Sequence, residues 1–302
     1  MTEISPAAPA TGPVLLGSPS MPPPGAQDTA EAIRAAQALL AGSAPLGVAF
    51  SGGVDSSVVL ALAVRELGTE NVLAIMGISP SLAAGERAAA HRVAEVIGAR
   101  VLEVTTREGE NPDYRRNDVD RCYFCKDELF SVIDGQVVSE HALAAVAYGE
   151  NADDAARPDR PGSRAASEHQ VLRPLAQAGI DKVMVRAIAR EFALPCADKP
   201  AAPCLASRIP HHQEVTAGKL SQVEQVEAGL RELGFTDSRV RHHEQIARLE
   251  LLPAELARAA TEPLRSAIHT LVTGAGFRYA ALDLAGIQSG AFTMAHLQED
   301  RG

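Results

Sequence analysis

Short apolar segments alternate with helical patterns between residues 46 and 193 of this chain. Strands are predicted over 46–50, 71–76, 101–105 and 144–148. Helices are predicted over 56–67, 85–97, 121–133 and 181–193. Strands that alternate with helices form βαβ units, in which parallel strands build one sheet and the helices cover both of its faces. We therefore expect an α/β domain with a parallel sheet over residues 29–210.

The pattern changes after about residue 210, where apolar residues recur every three or four positions and predict a helix over 216–233. A strand or hairpin (240–251), a helix (253–273) and a last strand (279–284) follow. These segments predict a smaller α+β domain over 211–302, which we expect to bind substrate or mediate oligomerisation. At the other end, residues 1–28 are rich in Pro, Ala, Gly and Ser, which is typical of a disordered tail. A helix is predicted to begin at Asp28 or Thr29 and to end at Leu40.

The charge balance argues against several classes of partner. The chain has 38 acidic and 28 basic residues, so its net charge is −10 at pH 7. Such a chain repels nucleic acid and anionic membranes, and we expect it to bind neither. No apolar run is long enough to cross a bilayer, and no secretory signal is visible, so we expect a cytoplasmic protein. In that reducing compartment, the four cysteines are expected to be ligands or reactive thiols rather than disulfides.

The segment Ser51-Gly52-Gly53-Val54-Asp55-Ser56-Ser57 lies directly between a predicted strand and a predicted helix. Its two glycines let the backbone turn with its N–H groups pointing inward, its serines add hydroxyl donors, and the helix N-terminus adds a positive dipole end. These features predict a phosphate-binding loop, although Gly and Ser are also common in ordinary turns. The segment has neither the Gly-Lys-Ser/Thr of a Walker loop nor the Gly-x-Gly-x-x-Gly of a dinucleotide fingerprint.

This segment resembles the Ser-Gly-Gly-x-Asp-Ser-Ser pyrophosphate loop of the N-type ATP pyrophosphatases, the PP-loop superfamily. That superfamily includes GMP synthetase, NAD synthetase, asparagine synthetase and several tRNA thiolases. The resemblance implies that ATP is cleaved between its α- and β-phosphates, which yields an adenylated substrate and pyrophosphate. It also implies that Asp55 holds a Mg²⁺ ion on the phosphates, and that ATP is bound by Ser51, Gly52, Gly53, Asp55, Ser56 and Ser57.

Asn151, Asp153 and Asp154 follow directly after the predicted strand 144–148. Ligands of open parallel sheets bind beyond the carboxyl ends of the strands, so the position of Asn151 and Asp154 suits a bound nucleotide or its metal. Asn and Asp are also the usual N-cap residues of helices, and both roles are compatible.

Three of the cysteines stand in two motifs. Cys122 and Cys125 form a Cys-x-x-Cys pair near the start of a predicted helix, and Cys204 follows 79 residues after Cys125. A lone Cys-x-x-Cys can be redox-active, structural or coincidental. A zinc site is an alternative, for which the fourth ligand would be Cys196, His211 or His212. Cys196 is otherwise expected to be a small packed residue.

The motifs together resemble the LarE family. They are Cys122-Tyr123-Phe124-Cys125-Lys126, Tyr148-Gly149-Glu150-Asn151-Ala152-Asp153-Asp154, Arg160-Pro161-Gly162 and Pro203-Cys204-Leu205-Ala206-Ser207-Arg208. This family makes the nickel-pincer nucleotide cofactor of lactate racemase. The resemblance implies an enzyme that adenylates the carboxylates of pyridinium-3,5-biscarboxylic acid mononucleotide with ATP and converts them to thiocarboxylates.

Two sulfur chemistries occur in that family. In one, a lone cysteine at the position of Cys204 gives up its own sulfur and becomes dehydroalanine. In the other, this cysteine and a Cys-x-x-Cys pair hold a [4Fe–4S] cluster. The presence of Cys122, Cys125 and Cys204 favours the cluster, because three thiolates leave one iron open for an extra sulfide that attacks the activated carbonyl.

Charged residues of the second half complete the predicted site. Arg239 and Arg241 are two positions apart, so on a strand they face the same side and could grip a phosphate or carboxylate, or could be a solvated strand face. The LarE resemblance favours the substrate phosphate. It also implies that Arg208 binds an anion beside Cys204, and that Glu227 and Glu250 bind a divalent metal. Glu224 is an alternative to Glu227.

Other functions share these motifs. A PP-loop tRNA thiolase would use the same loop and cluster, but the net charge of −10 and the absence of a basic RNA-binding extension count against it. A non-catalytic ATP-binding module that senses redox state or metal is a further alternative, against which the intact loop counts. We expect a sulfur-donor protein or free sulfide as the sulfur source, and a homo-oligomer.

Overall fold

The computed structural model describes residues 25–157 and 161–287. The helices are α1 (Ala26–Leu40), α2 (Val54–Leu67), α3 (Ala84–Ile97), α4 (Pro112–Arg115), α5 (Arg121–Val132), α6 (Val138–Glu140), α7 (Ala152–Ala155), α8 (Pro161–Glu168), α9 (Pro174–Gln177), α10 (Lys182–Glu191), α11 (Ala217–Glu232), α12 (Leu256–Ala259) and α13 (Leu264–Gly274). The strands are β1 (Leu46–Ala49), β2 (Val72–Ile78), β3 (Arg100–Thr105), β4 (Ala145–Tyr148), β5 (Ser238–His243), β6 (Ile246–Leu251) and β7 (Tyr279–Leu282). In the described ranges, every helix is too short or too polar to cross a lipid bilayer.

The first four strands form one parallel sheet with the order β3-β2-β1-β4. Helices cover both faces, as the alternating sequence pattern predicted. On one face, Val48 packs in the same core cluster as Leu62 of α2 and Ile188 of α10. On the other face, Ile75 packs with Phe130 of α5. Because β1 is covered on both sides, all four of its residues are buried. The four strand predictions are confirmed within two residues at each end.

The strand order places a topological switch point at the carboxyl end of β1. The chain leaves β1 toward β2 on one side, whereas β4 pairs with β1 on the other side. The loops that follow β1 and β4 therefore lie next to each other, at the position where open parallel sheets bind their ligands. The predicted phosphate loop and the segment after Tyr148 are these two loops.

A second, three-stranded sheet lies toward the C-terminus. β5 pairs antiparallel with β6, and β6 pairs parallel with β7. Its core includes Val223 and Leu230 of α11, Leu249 of β6 and Val272 of α13. This confirms the predicted helix over 216–233 and the hairpin reading of 240–251.

Two sequence predictions need correction. The predicted helix over 253–273 is divided into α12 and α13, because Pro263 has no N–H group and cannot continue a helix from the preceding turn. The first helix begins at Ala26 rather than after Asp28 or Thr29, since Gly25 is its N-cap and the Asp28 carboxylate accepts a hydrogen bond from Gly25 N at 3.2 Å. The predicted tail therefore ends before residue 28, and residues 1–24 lie outside the described residues.

The segment that precedes the predicted domain boundary at residue 210 packs with the C-terminal core. Leu205, Ala206 and Ile209 are buried in the same cluster as Leu249. They belong to the segment that carries Cys204. This segment therefore packs against the core of the C-terminal sheet. The division at residue 210 itself stays a prediction.

Candidate functional site

The phosphate loop is held in shape by its own serine hydroxyls. Ser56 Oγ accepts from Ser51 N at 3.2 Å and lies 3.1 Å from Gly53 O, and Ser57 Oγ donates to Gly53 O at 2.8 Å. Gly52 has a φ of +70°, and a Cβ there would lie 2.5 Å from Ala90 Cβ of α3. Glycine is therefore required at position 52 by both conformation and space. The loop leads directly into the N-terminus of α2, a 14-residue helix, as predicted.

Asp55 is at the centre of a cluster of polar side chains at the switch point. Its Oδ1 accepts from Asn151 Nδ2 at 2.9 Å, and its Oδ2 is ion-paired with Lys182 Nζ. Asn151 is almost fully buried and also caps α7, because its Oδ1 accepts from Asp154 N at 3.0 Å. The structure thus brings the predicted residues Asp55, Asn151 and Asp154 together and shows the capping role of Asn151, while its role at a nucleotide or metal stays a prediction.

Lys182 is a site residue that the sequence analysis missed. It is the first residue of α10, and its backbone N donates to Asp153 Oδ2 at 2.9 Å. Asp153 therefore has a structural role, because this hydrogen bond fixes the start of α10 against the loop after β4. Lys182 reaches Asp55 across 127 positions of sequence, so no local spacing could have indicated the pair.

Gly149 is the point where the two loops touch, and it gives a testable prediction. A Cβ at this position would lie 2.6 Å from Ser56 N and 2.8 Å from Ser56 Cα, both of which are backbone atoms. We expect Gly149→Ala to push the phosphate loop away, to lower the free energy of unfolding by about 1–3 kcal/mol, and to weaken ATP binding measured by calorimetry. Gly274→Ala is the matched control, since a Cβ there meets nothing within 4 Å. Unchanged ATP affinity in Gly149→Ala would contradict this account of the loop.

The three predicted cysteine ligands lie on two segments that are tied together. Cys122 and Cys125 are in the first two turns of α5, and Cys204 directly precedes a short 3₁₀ helix, Leu205–Arg208. The buried guanidinium of Arg121 joins these segments, since its Nη1 donates to Ala206 O at 3.0 Å. Arg121 is a second residue that the sequence analysis missed. Its place directly before Cys122 was the available signal.

The thiols also share one electrostatic environment. Burial raises the pKa of the Cys125 thiol strongly, and the negative charges of Glu108, Cys204 and Cys122 raise it further. Burial lowers the pKa of Arg121, but the negative charges of Cys204, Cys122 and Tyr114 and a hydrogen bond to Cys122 raise it, and the net direction is upward. Arg121 therefore places a positive charge beside these thiols.

The three predicted ligands are thiols, a donor type that suits both an iron–sulfur cluster and zinc. Among residues 25–157 and 161–287, no group of three or more His, Cys, Asp or Glu side chains is arranged to hold a metal ion. Cys196 is buried in the core of the parallel sheet, where it packs as predicted, and it is not a fourth ligand. The cluster itself stays a prediction.

The charged residues predicted to bind substrate and metal are paired with one another. Arg208 is 4% exposed, and its Nε and Nη2 contact the two oxygens of Glu227 at 2.8 and 3.1 Å. Arg241 is 5% exposed and contacts both oxygens of Glu250 at 3.0 and 2.9 Å. Each carboxylate is therefore neutralised by an arginine. The predicted metal role of Glu227 and Glu250 stays a prediction, as does anion binding by Arg208 and Arg241.

The two strand arginines lie on the same side of β5, as their spacing predicted, and both contact the segment that carries Cys204. Arg241 Nη1 donates to Ser207 O at 3.1 Å, and Arg239 Nη2 donates to Ala201 O at 3.2 Å. Arg239 is the more accessible of the two and also pairs with Asp237. Glu224, the alternative to Glu227, instead accepts from Ala84 N at 2.6 Å and caps α3.

The Arg208–Glu227 pair gives a stability prediction. Removal of one partner from a buried ion pair leaves an uncompensated charge, so we expect Glu227→Ala to lower the free energy of unfolding by about 3–5 kcal/mol. Glu227 Oε1 also accepts from Val240 N at 2.9 Å, so the change costs a second buried hydrogen bond. Urea denaturation followed by circular dichroism measures the effect. Glu232→Ala, at the exposed end of the same helix, is the control and is expected to change stability by less than about 0.5 kcal/mol. Equal effects of the two variants would contradict the prediction.

Comparison with known proteins supports the resemblance seen in the motifs. The protein-family profile described as Asparagine synthase matches residues 29–138, which include the phosphate loop. A protein of Synechocystis, uncharacterized protein slr1717, is 40% identical over 80% of this chain and 90% of its own length. Pyridinium-3,5-bisthiocarboxylic acid mononucleotide synthase of Lactiplantibacillus plantarum is 35% identical over 80% of this chain and 87% of its own length.

This second relative is matched over nearly its whole length, and the match is long enough to include both sheets. The parallel sheet with a serine- and glycine-rich loop after β1 is also the arrangement expected of a PP-loop ATP pyrophosphatase domain. The chain therefore belongs to the LarE family of the PP-loop superfamily.

Proposed function

We propose that this protein is an ATP-dependent sulfurtransferase that adenylates the carboxylates of pyridinium-3,5-biscarboxylic acid mononucleotide and converts them to thiocarboxylates. The product would serve the biosynthesis of the nickel-pincer nucleotide. The observation that carries the proposal is the 35% identity to the bisthiocarboxylic acid mononucleotide synthase over 87% of that protein. The phosphate loop and the three cysteines on neighbouring segments support it.

The switch point would bind ATP. Its loop amides and the N-terminus of α2 would face the phosphates, and Ser51 and Ser57 would add hydroxyl groups. Asp55 would hold Mg²⁺ after Lys182 moves from it to a phosphate oxygen, since Asp55 Oδ2 is ion-paired with that lysine in this structure. The Mg²⁺ ion, the lysine and the loop amides together would stabilise the charge that develops as pyrophosphate leaves.

The C-terminal sheet would present the acceptor. Arg239 and Arg241 face the segment that carries Cys204, so an anionic nucleotide bound by these arginines would have its carboxylates near that cysteine. In the same region, Arg208 would bind an anion of the substrate. A divalent metal bound by Glu227 and Glu250 would replace the arginine partners of these two glutamates. The first step is attack by a substrate carboxylate on the α-phosphate of ATP, and the second is attack by sulfur on the acyl-adenylate, which releases AMP.

Cys122, Cys125 and Cys204 would hold a [4Fe–4S] cluster. When bound, such a cluster supplies an iron without a cysteine ligand, at which an exchangeable sulfide can reside. Arg121 would offset part of the negative charge of the thiolates, as its raised pKa indicates. Free sulfide or a donor protein would renew the sulfur, and the chain would act as a homo-oligomer.

The ATP chemistry tests this proposal. The protein is incubated anaerobically with ATP, Mg²⁺ and the pyridinium dicarboxylate mononucleotide, and the nucleotides are separated by chromatography. We expect AMP and pyrophosphate in amounts that depend on the acceptor, and neither product in its absence. Formation of ADP and orthophosphate, or of AMP at the same rate without acceptor, would contradict the adenylation step.

A further inference from the structure

Asn117 is a fully buried polar residue in the turn between α4 and α5. Its φ is +60°, a left-handed backbone conformation in which Asn is enriched among the residues other than glycine. Glycine adopts this conformation without strain, so glycine would serve the backbone equally well. The hydrogen bonds of the Asn117 side chain indicate a role beyond that of a turn residue.

The side chain of Asn117 binds the stretch of chain that follows Cys204, which we call the Cys204 segment (residues 204–212). Its Nδ2 donates to Pro210 O at 2.7 Å and to Ile209 O at 3.3 Å. The backbone O of Asn117 also accepts from His212 N at 3.1 Å. The two carbonyls are 93 and 92 positions away in sequence, so Asn117 docks the Cys204 segment on a distant part of the chain.

Asn117 also fixes the guanidinium of Arg121, the residue directly before Cys122. Asn117 Oδ1 accepts from Arg121 Nη1 at 2.6 Å, and the same nitrogen donates to Ala206 O at 3.0 Å. A carboxamide has a donor and an acceptor on one side chain, so it can bind backbone carbonyls and a guanidinium at the same time. An ionised aspartate could bind only the guanidinium, and a glycine side chain could bind neither.

Apolar packing joins the same two parts of the chain. Cys125 of α5 packs against the core cluster that includes Leu205 and Ile209 of the Cys204 segment. Apolar packing is not directional, whereas a buried polar network with all of its members paired specifies one arrangement. The hydrogen bonds of Asn117 and Arg121 therefore fix how the Cys204 segment lies on α5.

We propose that Asn117 is a positioning residue for sulfur transfer, which holds the Cys204 segment against the start of α5 and so fixes the place of Cys204. This inference rests on the proposed function, and it applies to either sulfur chemistry because Cys204 takes part in both. Asn117 acts through the Cys204 segment and through Arg121. Misplacement of a reacting group by about 1 Å costs on the order of 10²-fold in rate, so a loosely docked segment transfers sulfur slowly.

Asn117→Gly tests this proposal, and Gln170→Gly is the matched control, because Gln170 is exposed and has a similar φ of +52°. Hydrogen–deuterium exchange of the full-length proteins is followed by mass spectrometry. We expect peptides that cover the Cys204 segment to exchange faster by about tenfold or more in Asn117→Gly, because buried hydrogen bonds are lost, and at an unchanged rate in Gln170→Gly. Unchanged exchange in Asn117→Gly would show that Asn117 serves only its backbone conformation and would overturn the proposal.

A second measurement separates positioning from a general loss of structure. For Asn117→Gly, we expect the thiocarboxylate formed per pyrophosphate released to fall by about tenfold or more, since adenylation uses other residues. A merely structural defect would lower both products equally, and an unchanged ratio would overturn the positioning role while leaving the proposed function intact. Asn117→Asp, which keeps only the acceptor for Arg121, gives the same two readouts if the glycine variant does not fold. If the unchanged protein releases no pyrophosphate, the proposed function fails, and hydrogen exchange alone decides whether Asn117 docks the Cys204 segment.

Discussion

Asp55→Ala is expected to abolish the formation of AMP and pyrophosphate while it leaves the fold intact. Asp55 contacts both Asn151 and Lys182 at the switch point, and it is the proposed Mg²⁺ ligand. Its loss removes the metal from the phosphates and leaves Lys182 without its partner. Loss of a group that stabilises transition-state charge typically costs about 10²–10³-fold in rate, and we expect at least this loss, measured as pyrophosphate release.

Glu66→Ala is the matched control for this change. Glu66 lies near the other end of the same helix, α2, where it is exposed, so its removal tests whether any loss of an acidic residue from α2 lowers the rate. We expect normal pyrophosphate release from Glu66→Ala and a normal circular dichroism spectrum for both variants. Full activity of a folded Asp55→Ala protein would show that the switch point does not hold the catalytic metal.

Each of the three single replacements Cys122→Ser, Cys125→Ser and Cys204→Ser is expected to abolish sulfur transfer. Each change takes one thiolate from a three-thiolate site, so the iron content and the brown colour should fall together with activity. AMP formation should persist at first, since the phosphate loop is formed by other residues. Thiocarboxylate formation under anaerobic conditions measures the effect. Cys196→Ala is the control and should retain sulfur transfer, because Cys196 packs in the core of the parallel sheet.

The single-cysteine chemistry makes the opposite prediction for the same variants. There, only Cys204 is required, Cys122→Ser and Cys125→Ser stay active, and each chain gives up one sulfur. The protein then loses about 34 Da as Cys204 becomes dehydroalanine, a change that lies outside the ordinary oxidation products of cysteine. A colourless, active protein with dehydroalanine at position 204 would therefore contradict the cluster.

Much of this molecule could be predicted from local patterns. The boundaries of the main strands and helices follow from apolar periodicity, and the phosphate loop follows from two glycines and three serines at the junction of β1 and α2. The same-side placement of Arg239 and Arg241 follows from the two-residue repeat of a strand. Each of these features depends on neighbours within a few positions, which is why a single sequence suffices.

The features that escaped prediction depend on contacts between distant segments. Lys182 meets Asp55 only because α10 packs against α2, and the two residues are 127 positions apart. The glutamate partners of Arg208 and Arg241 were not predicted either. The sequence around an arginine does not indicate whether its side chain binds an external anion or a buried glutamate.

The mass of the mononucleotide after reaction distinguishes sulfur transfer from adenylation alone. The reconstituted protein is incubated anaerobically with ATP, Mg²⁺, excess sulfide and the pyridinium dicarboxylate mononucleotide, and the small molecules are analysed by mass spectrometry. Our account predicts that the mononucleotide gains sulfur in place of carboxylate oxygen, that this requires ATP, and that more than one sulfur is transferred per chain. A mononucleotide that keeps all of its oxygen while ATP is converted to AMP would contradict sulfur transfer to this acceptor.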